Sequence, residues 1–306
     1  MKIFCDGSRF YGSQIESIEK GFIELGHEIT SHIGEANLIY SNNPSPTRTQ
    51  IVKDIKEGKT KRGAKFVTTI LDFPEHLEHT ESFQKEIPQI KADLSAADAV
   101  CSISEYTQKM VKLKYGFDST VIYNPIKDVC LSPYIKRNVF ATIVGRKFDP
   151  NKFVKTAIQA CQILGVPEEQ VLMVGSESVG WGNFQGVLSD ENLNKVYNSA
   201  FFSFSLGEVE GINLPAIEAA ACGCIPVINS KLTTRQELFP SSLFPEYDSV
   251  NADPVSIAKF IARFSQDNGA REDLTNRLTN HYNNNLKDKF SGRSVAQKIL
   301  KIYENL

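Results

Sequence analysis

Glu210-Gly211-Ile212-Asn213-Leu214-Pro215-Ala216-Ile217-Glu218-Ala219-Ala220-Ala221-Cys222-Gly223-Cys224-Ile225-Pro226-Val227 is the stretch that decides the fold. As one continuous helix it would put Glu210 and Glu218 near one face, but Gly211 and Pro215 argue against that. Proline is favoured at the first helical position, where its missing N–H is not needed. The spacing therefore predicts a helix that starts at Leu214 or Pro215 and ends near Cys222. Glu210 then belongs to a loop just after the apolar run Phe201 to Ser205, and Glu218 lies about one turn into the helix. Ile225 to Ile228 follows as a short buried strand. Strand, loop, helix and strand in that order make a unit of a parallel sheet.

The same rhythm extends in both directions. Towards the N-terminus, Lys2 to Cys5, His27 to Ser31, Asn37 to Ser41, Lys65 to Leu71, Ala99 to Ile103 and Thr120 to Tyr123 read as strands. Gly7 to Ser13 reads as a loop, and the helix after it carries Ile15, Ile18, Phe22 and Leu25 on one stripe, with Gly26 placed to end it. Helical patterns also end near Ala97 and cover Glu105 to Tyr115. Asn124-Pro125 and the irregular stretch to Pro133 suit a linker. A second series then runs through strands at Val139 to Val144, Gln170 to Val174 and Asn183 to Val187, with helices at Lys152 to Leu164 and Glu191 to Asn198. The expected architecture is α/β, with two facing Rossmann-like domains at 1–130 and 131–286 and a closing helical segment at 287–306. Ligands of such sheets lie beyond the carboxyl ends of the strands, so the cleft between the domains is the expected site.

Composition excludes several classes. The 306 residues are 41% hydrophobic and 23% charged, which removes disordered and collagen-like readings. Lys and Arg number 34 against 36 Asp and Glu, a net charge of −2, evenly divided along the chain. A dedicated nucleic-acid binder needs a basic excess to neutralise phosphates, so nucleic acid is not an expected partner. The N-terminus lacks a signal-peptide core and the apolar run Ala219 to Ile228 is short and broken by Gly223 and Pro226. A cytoplasmic protein is expected, with peripheral contact at the inner face of a membrane as the variant of that reading. The one charge-dense patch, Lys53 to Lys65, reads as a solvated helix end and turn, or else as a phosphate or membrane-surface contact. Six scattered cysteines suit reduced thiols, and Cys222-Gly223-Cys224 lacks the second pair a metal site would need. No G-x-G-x-x-G follows a strand, which disfavours a nicotinamide enzyme; Gly175 to Gly182 has the wrong spacing.

The chemistry concentrates at two places. The backbone N–H groups of Gly211, Ile212 and Asn213 lead into a helix start, which carries partial positive charge and seats a diphosphate. A carboxylate one turn further in, Glu218, can accept both hydroxyls of an attached ribose. Gly145-Arg146 ends the first strand of the second series, and Lys152 follows six residues later. A planar guanidinium and a mobile ammonium suit a diphosphate whose charge grows as it leaves. No Asp-x-Asp pair is present to hold a metal ion.

The segment from Glu210 resembles the E-x7-E signature of retaining GT-B glycosyltransferases of family 4. In that family E-G-x-x-L-P-x-x-E-A-x-A-x-G recurs, and here Pro226-Val227 follows it as the family's P-V does. Gly26-His27-Glu28-Ile29-Thr30 is similar to its G-H-E-V-T, and Val121-Ile122-Tyr123-Asn124-Pro125 to its V-I-P-N-G. Val144-Gly145-Arg146 with Lys152 is similar to its V-G-R and later lysine, Gln185-Gly186 to its F-x-G, and Phe290-Ser291 with Ile302-Tyr303 to its last helix. The resemblance implies a GT-B fold whose last helix crosses back to the first domain. It also implies metal-independent, retaining transfer of a sugar from a nucleotide-diphosphate donor, UDP or GDP, to a hydroxyl acceptor. By it, Arg146, Lys152 and the Gly211 to Asn213 backbone hold the donor diphosphate, Glu218 the ribose and Glu210 the sugar hydroxyls, with Gly145 and Leu214 also in the donor-binding set. Glu210, Arg146 and Lys152 are the implied catalytic residues, and Gly12 lies in the loop that closes over the donor. Two departures stand out. Leu71 occupies the position of the family's donor-sugar histidine, His76 and His79 downstream read as ordinary surface residues or else as substitutes for it, and Tyr11-Gly12-Ser13 replaces a double glycine. A degenerate subunit that binds nucleotide or partner without catalysis is the alternative, which Leu71 alone supports.

Overall fold

Every β-branched run named above enters one of two wholly parallel sheets. The structure is a computed structural model, and it describes residues 1–6, 12–42, 47–71, 81–126, 132, 135–145 and 149–306. The chain divides into two compact units, Met1–Ile126 with Asp288–Leu306, and Lys127–Lys287.

The first unit holds β1 (Lys2–Asp6), β2 (Glu28–Ile29), β3 (Leu38–Ser41), β4 (Lys65–Ile70), β5 (Ala99–Ser102) and β6 (Thr120–Val121), ordered β2-β1-β3-β4-β5-β6. Its helices are α1 (Gly12–Glu24), α2 (Thr47–Lys56), α3 (Glu81–Ser95) and α4 (Glu105–Met110), the last widening into a π-helical stretch at Val111–Tyr115. Ile15, Ile18 and Phe22 of α1 are buried, and Gly26 adopts φ +83° after the helix, a left-handed conformation that glycine takes without a steric cost. Helix α1 starts at Gly12, inside the stretch read as a loop. A first turn needs no apolar periodicity, so small residues there leave no mark in the sequence. In the lysine-rich patch, Lys59 pairs with Glu57 at 2.6 Å and with Asp54 at 3.3 Å, so part of its charge is neutralised locally.

In the second unit, β7 (Val139–Val144), β8 (Val171–Val174), β9 (Asn183–Gly186), β10 (Ala200–Ser205) and β11 (Ile225–Ile228) are ordered β11-β10-β7-β8-β9. Helices α5 (Val154–Ile163), α6 (Asp190–Ser199), α7 (Leu214–Ala221), α8 (Arg235–Leu238), α9 (Pro254–Gln266) and α10 (Asn268–His281) accompany them. Ser189, Asp253 and Asp267 cap α6, α9 and α10 through side-chain oxygens that accept backbone N–H groups. The helix expected from Lys152 differs: Pro150–Lys152 is a 3₁₀ turn, Phe153 is left-handed at φ +50°, and α5 begins only at Val154. Asp149 accepts the Asn151 amide and Pro150 opens the turn, which together set a separate initiation site.

The chain then returns to the first unit as α11 (Gly292–Glu304), capped by Ser291, whose hydroxyl accepts the Ser294 amide at 3.1 Å. Val295, Ala296 and Ile299 bury against the same cluster as Ile15, Ile18 and Phe22. Each such side chain taken fully out of water contributes about 1.5–3 kcal/mol. The outgoing and returning segments meet where the Ile126 amide donates to the Phe290 carbonyl at 3.1 Å and the Tyr123 and Phe290 rings lie 4.8 Å apart. Among the described residues, no helix is long and apolar enough to cross a membrane.

Candidate active site

Strand order reverses in the second unit between β7 and β10, the neighbours at the middle of its sheet. A crevice opens outside the carboxyl ends at such a point. The residues that leave those two ends are Gly145 and the loop carrying Glu210. Gly145 takes φ +123°, and its amide donates to the Val174 carbonyl at 3.0 Å. That dihedral suits glycine and turns the chain sharply off β7. Arg146 lies outside the described residues. Three residues further along the described chain, the Asp149-capped turn delivers Lys152.

The loop from Leu206 to Asn213 meets that turn. The Lys152 ammonium donates to Glu210 Oε1, and the two side chains retain 26% and 12% exposure. Gly207 lies directly beneath the same carboxylate: a Cβ there would sit 2.2 Å from Glu210 Oε1. Asn151 reaches across from the turn, accepting the amides of Glu208 and Val209 at 3.2 Å each and donating to the Val209 carbonyl at 2.7 Å. From the other side Thr233 Oγ1 accepts the Glu210 amide at 3.1 Å and donates to the Glu210 carbonyl at 2.9 Å.

Asn213 caps α7 by accepting the Ala216 amide at 3.2 Å, and Leu214-Pro215 form its first turn. This is the start that Pro215 predicts. Gly211, Ile212 and Asn213 are buried on the approach to the helix, and Glu218 is buried one turn in, 5% exposed. The Tyr197 hydroxyl, from α6, donates to Glu218 Oε2 at 3.0 Å. Burial, and then the Glu218 charge, hold that phenol well above its ordinary pKa, so it stays protonated and remains a donor. A cavity of about 20 Å³ borders Lys152, Ser205, Gly207, Glu210 and Asn213. Its walls combine an ammonium, a carboxylate and a helix start, a set able to order a charged, hydroxylated ligand.

The structure thus brings Gly145, Lys152, Glu210, Gly211, Ile212, Asn213, Leu214 and Glu218 together in one unit, while Gly12 opens α1 in the other. Leu71 is buried at the end of β4, and His76 and His79 lie outside the described residues. Sequence reasoning missed Tyr197, Asn151 and Thr233, which act on the site through contacts distant in the chain, and Gly207, which meets Glu210 three residues on. Cys222 and Cys224 are buried free thiols, and burial pushes the Cys224 thiol up to about 12, which fits packing.

Two parallel α/β units, with the last helix returning to the first, define the GT-B fold of glycosyltransferases. No family model matches the sequence. Across 99% of its length the chain is similar to sucrose-phosphate synthase from Thermosynechococcus elongatus, covering 98% of that protein at TM-score 0.71 and 14% identity. It is similar, at TM-score 0.69 and 10% identity over 99% of both chains, to WaaG, a glycosyltransferase involved in lipopolysaccharide biosynthesis. Among curated sequences, O-antigen chain mannosyltransferase B of Escherichia coli is 25% identical over 219 residues, 60% of this chain and 56% of that one. The chain therefore spans about half the length of that relative.

Proposed function

We propose that the chain is a retaining glycosyltransferase that moves a sugar from a nucleotide-diphosphate donor to a hydroxyl acceptor on a glycan, a lipid-linked carrier or a small molecule. The observation that carries this reading is the pairing of Lys152 with Glu210 beside the start of α7, with Glu218 buried one turn behind. Lys152, Arg146, Gly145 and the Gly211 to Leu214 segment hold the diphosphate and stabilise its charge as the bond to the sugar breaks. Glu218, oriented by Tyr197, takes the ribose hydroxyls, and Glu210 takes hydroxyls of the sugar. The reading needs no metal ion, since a cation pair and a helix terminus supply the positive charge. It suits a cytoplasmic enzyme, with peripheral contact at a membrane when the acceptor is lipid-linked. The even charge argues against a nucleic-acid acceptor.

The direct test is release of nucleoside diphosphate from a panel of nucleotide-sugars by the wild type, Glu218→Ala and Arg146→Ala. Loss in both variants is expected; equal turnover in all three overturns the site assignment. Binding gives an independent check. In a thermal-shift series with UDP, GDP, ADP, CDP and TDP, UDP or GDP is expected to stabilise most, by about 2.7 kcal/mol at a hundred times its dissociation constant. The buried Leu71 at the histidine position favours one second reading, a subunit that binds nucleotide-sugar without transfer. Tight binding with no release of nucleoside diphosphate across many acceptors would establish it.

Gly207→Ala separates site geometry from folding. The atom its Cβ meets is the mobile end of Glu210, so stability should change by less than about 1 kcal/mol, while the carboxylate is pushed off Lys152. Displacement of about 1 Å at a reacting centre costs up to about 100-fold. Turnover is expected to fall at least tenfold at nearly unchanged melting temperature, roughly in line with that figure. Wild-type turnover in this variant would mean that the position of Glu210 does not matter.

A further inference from the structure

Glu210 is presented by a loop with no regular secondary structure, so something else must fix it. Two side chains account for that. Asn151 uses both ends of its amide: Oδ1 accepts from the Glu208 and Val209 amides, and Nδ2 donates to the Val209 carbonyl. Asparagine alone among small side chains offers an acceptor and a donor on one planar group. Thr233, in the loop after β11, closes the other side. Its hydroxyl both accepts from and donates to the Glu210 main chain, and its own amide donates to the Glu208 carbonyl at 2.8 Å. Asn229, just after β11, adds Nδ2 bonds to the Leu206 carbonyl at 3.2 Å and to Glu208 Oε1 at 3.3 Å.

The placement of Asn151 matters as much as its bonds. It is the chain neighbour of Lys152, inside the same 3₁₀ turn, and that turn ends at the left-handed Phe153. Among the described residues Phe153 is the only non-glycine residue at positive φ, a conformation that costs about 1–2 kcal/mol and persists where surrounding bonds enforce it. The turn that carries the cation and the loop that carries the carboxylate are therefore joined by hydrogen bonds between the Asn151 side chain and the loop's main chain. Two long, flexible side chains alone would not fix that distance.

We propose that Asn151 and Thr233 are positioning residues that lock the Glu210 loop to the Lys152 turn, so that the two charged groups keep one spacing through turnover. This rests on the reading of the chain as a nucleotide-sugar transferase. Neither side chain is assigned a contact with donor or acceptor. Asn151→Asp would keep the two accepted bonds, lose the donated one and add a negative charge beside Glu208 and Glu210. Thr233→Val would keep the shape and lose both hydroxyl bonds, and Thr233→Ser would keep the hydroxyl.

Two measurements on the full chain test this. In amide hydrogen exchange, the 207–211 segment should exchange faster in Asn151→Ala and Thr233→Val than in the wild type; unchanged exchange in both overturns the clamp. In steady-state turnover, each variant should lower kcat about tenfold or more with donor KM within about threefold, and Thr233→Ser should recover most of the loss. In the Glu210→Ala background, Asn151→Ala should cause no further fall, because its effect runs through Glu210. Full, independent losses in the two backgrounds would overturn positioning through Glu210 even if exchange is faster. If the wild type releases no nucleoside diphosphate, the functional reading fails, and the exchange result still decides the clamp by itself.

Discussion

Lys152→Ala is expected to lower kcat/KM for the nucleotide-sugar by about 10²–10³, the range seen when one preorganised donor to a developing negative charge is removed. Lys152 is the described cation at the switch point of the second sheet, held by a turn whose cap, proline and left-handed residue fix its direction. The substitution also removes the Lys152 bond to Glu210, a carboxylate that keeps a further contact, so stability should fall by only about 1 kcal/mol. Thermal unfolding and nucleoside diphosphate release by the wild type and this variant give both readings. A rate within threefold of wild type in Lys152→Ala, where about 100-fold loss is expected, would remove Lys152 from the chemistry.

The parts of this site that the sequence disclosed are those written in local rules. Pro215 marked the helix start, Asn213 proved to be its cap, and the spacing of Glu210 and Glu218 followed from where the helix begins. Strands β7 and β11 matched their expected limits, Val139 to Val144 and Ile225 to Ile228, because apolar β-branched runs there are bounded by polar or turn-forming residues. What stayed hidden depends on distance along the chain. Tyr197 is one more aromatic on the buried stripe of α6 until β10 and α7 fold back and place Glu218 against its hydroxyl, 21 residues later. Asn151 and Thr233 bond to backbone, and backbone groups carry no residue identity that a pattern could register. Gly207 reads as an ordinary loop glycine, since the atom that excludes its Cβ belongs to a side chain three residues on. Phe153 was hidden for a different reason. Its neighbours favour helix, so local propensity predicted a continuous helix from Lys152, and tertiary bonds to the Glu208–Val209 loop overrode it.

Gly292→Ala should be the most destabilising of the single-methyl additions, because the return of the chain to the first unit depends on two glycines meeting. A Cβ on Gly292 would lie 2.1 Å from the Ser17 carbonyl oxygen and 2.6 Å from its carbon; one on Gly21 would lie 2.4 Å from the Gly292 oxygen. These obstacles are main chain and cannot swing aside as the Glu210 carboxylate can. To admit the methyl, α11 must move away from α1, which loosens Ile299 and Val295 against Ile18 and Phe22. Overpacking of this kind costs about 1–3 kcal/mol. Gly21 sits inside α1, where alanine regains about 0.8–1 kcal/mol of helix propensity, so Gly21→Ala should be the milder of the two. For a unit of this size each kcal/mol corresponds to about 2–4 °C, so Gly292→Ala should lower the melting temperature by about 2–12 °C. Lys152, Glu210 and Glu218 all belong to the other unit, so the stabilisation by a bound nucleoside diphosphate should persist in this variant. A melting temperature unchanged from wild type would mean that the two helices do not meet backbone to backbone, and the return of α11 would then rest on its apolar stripe alone.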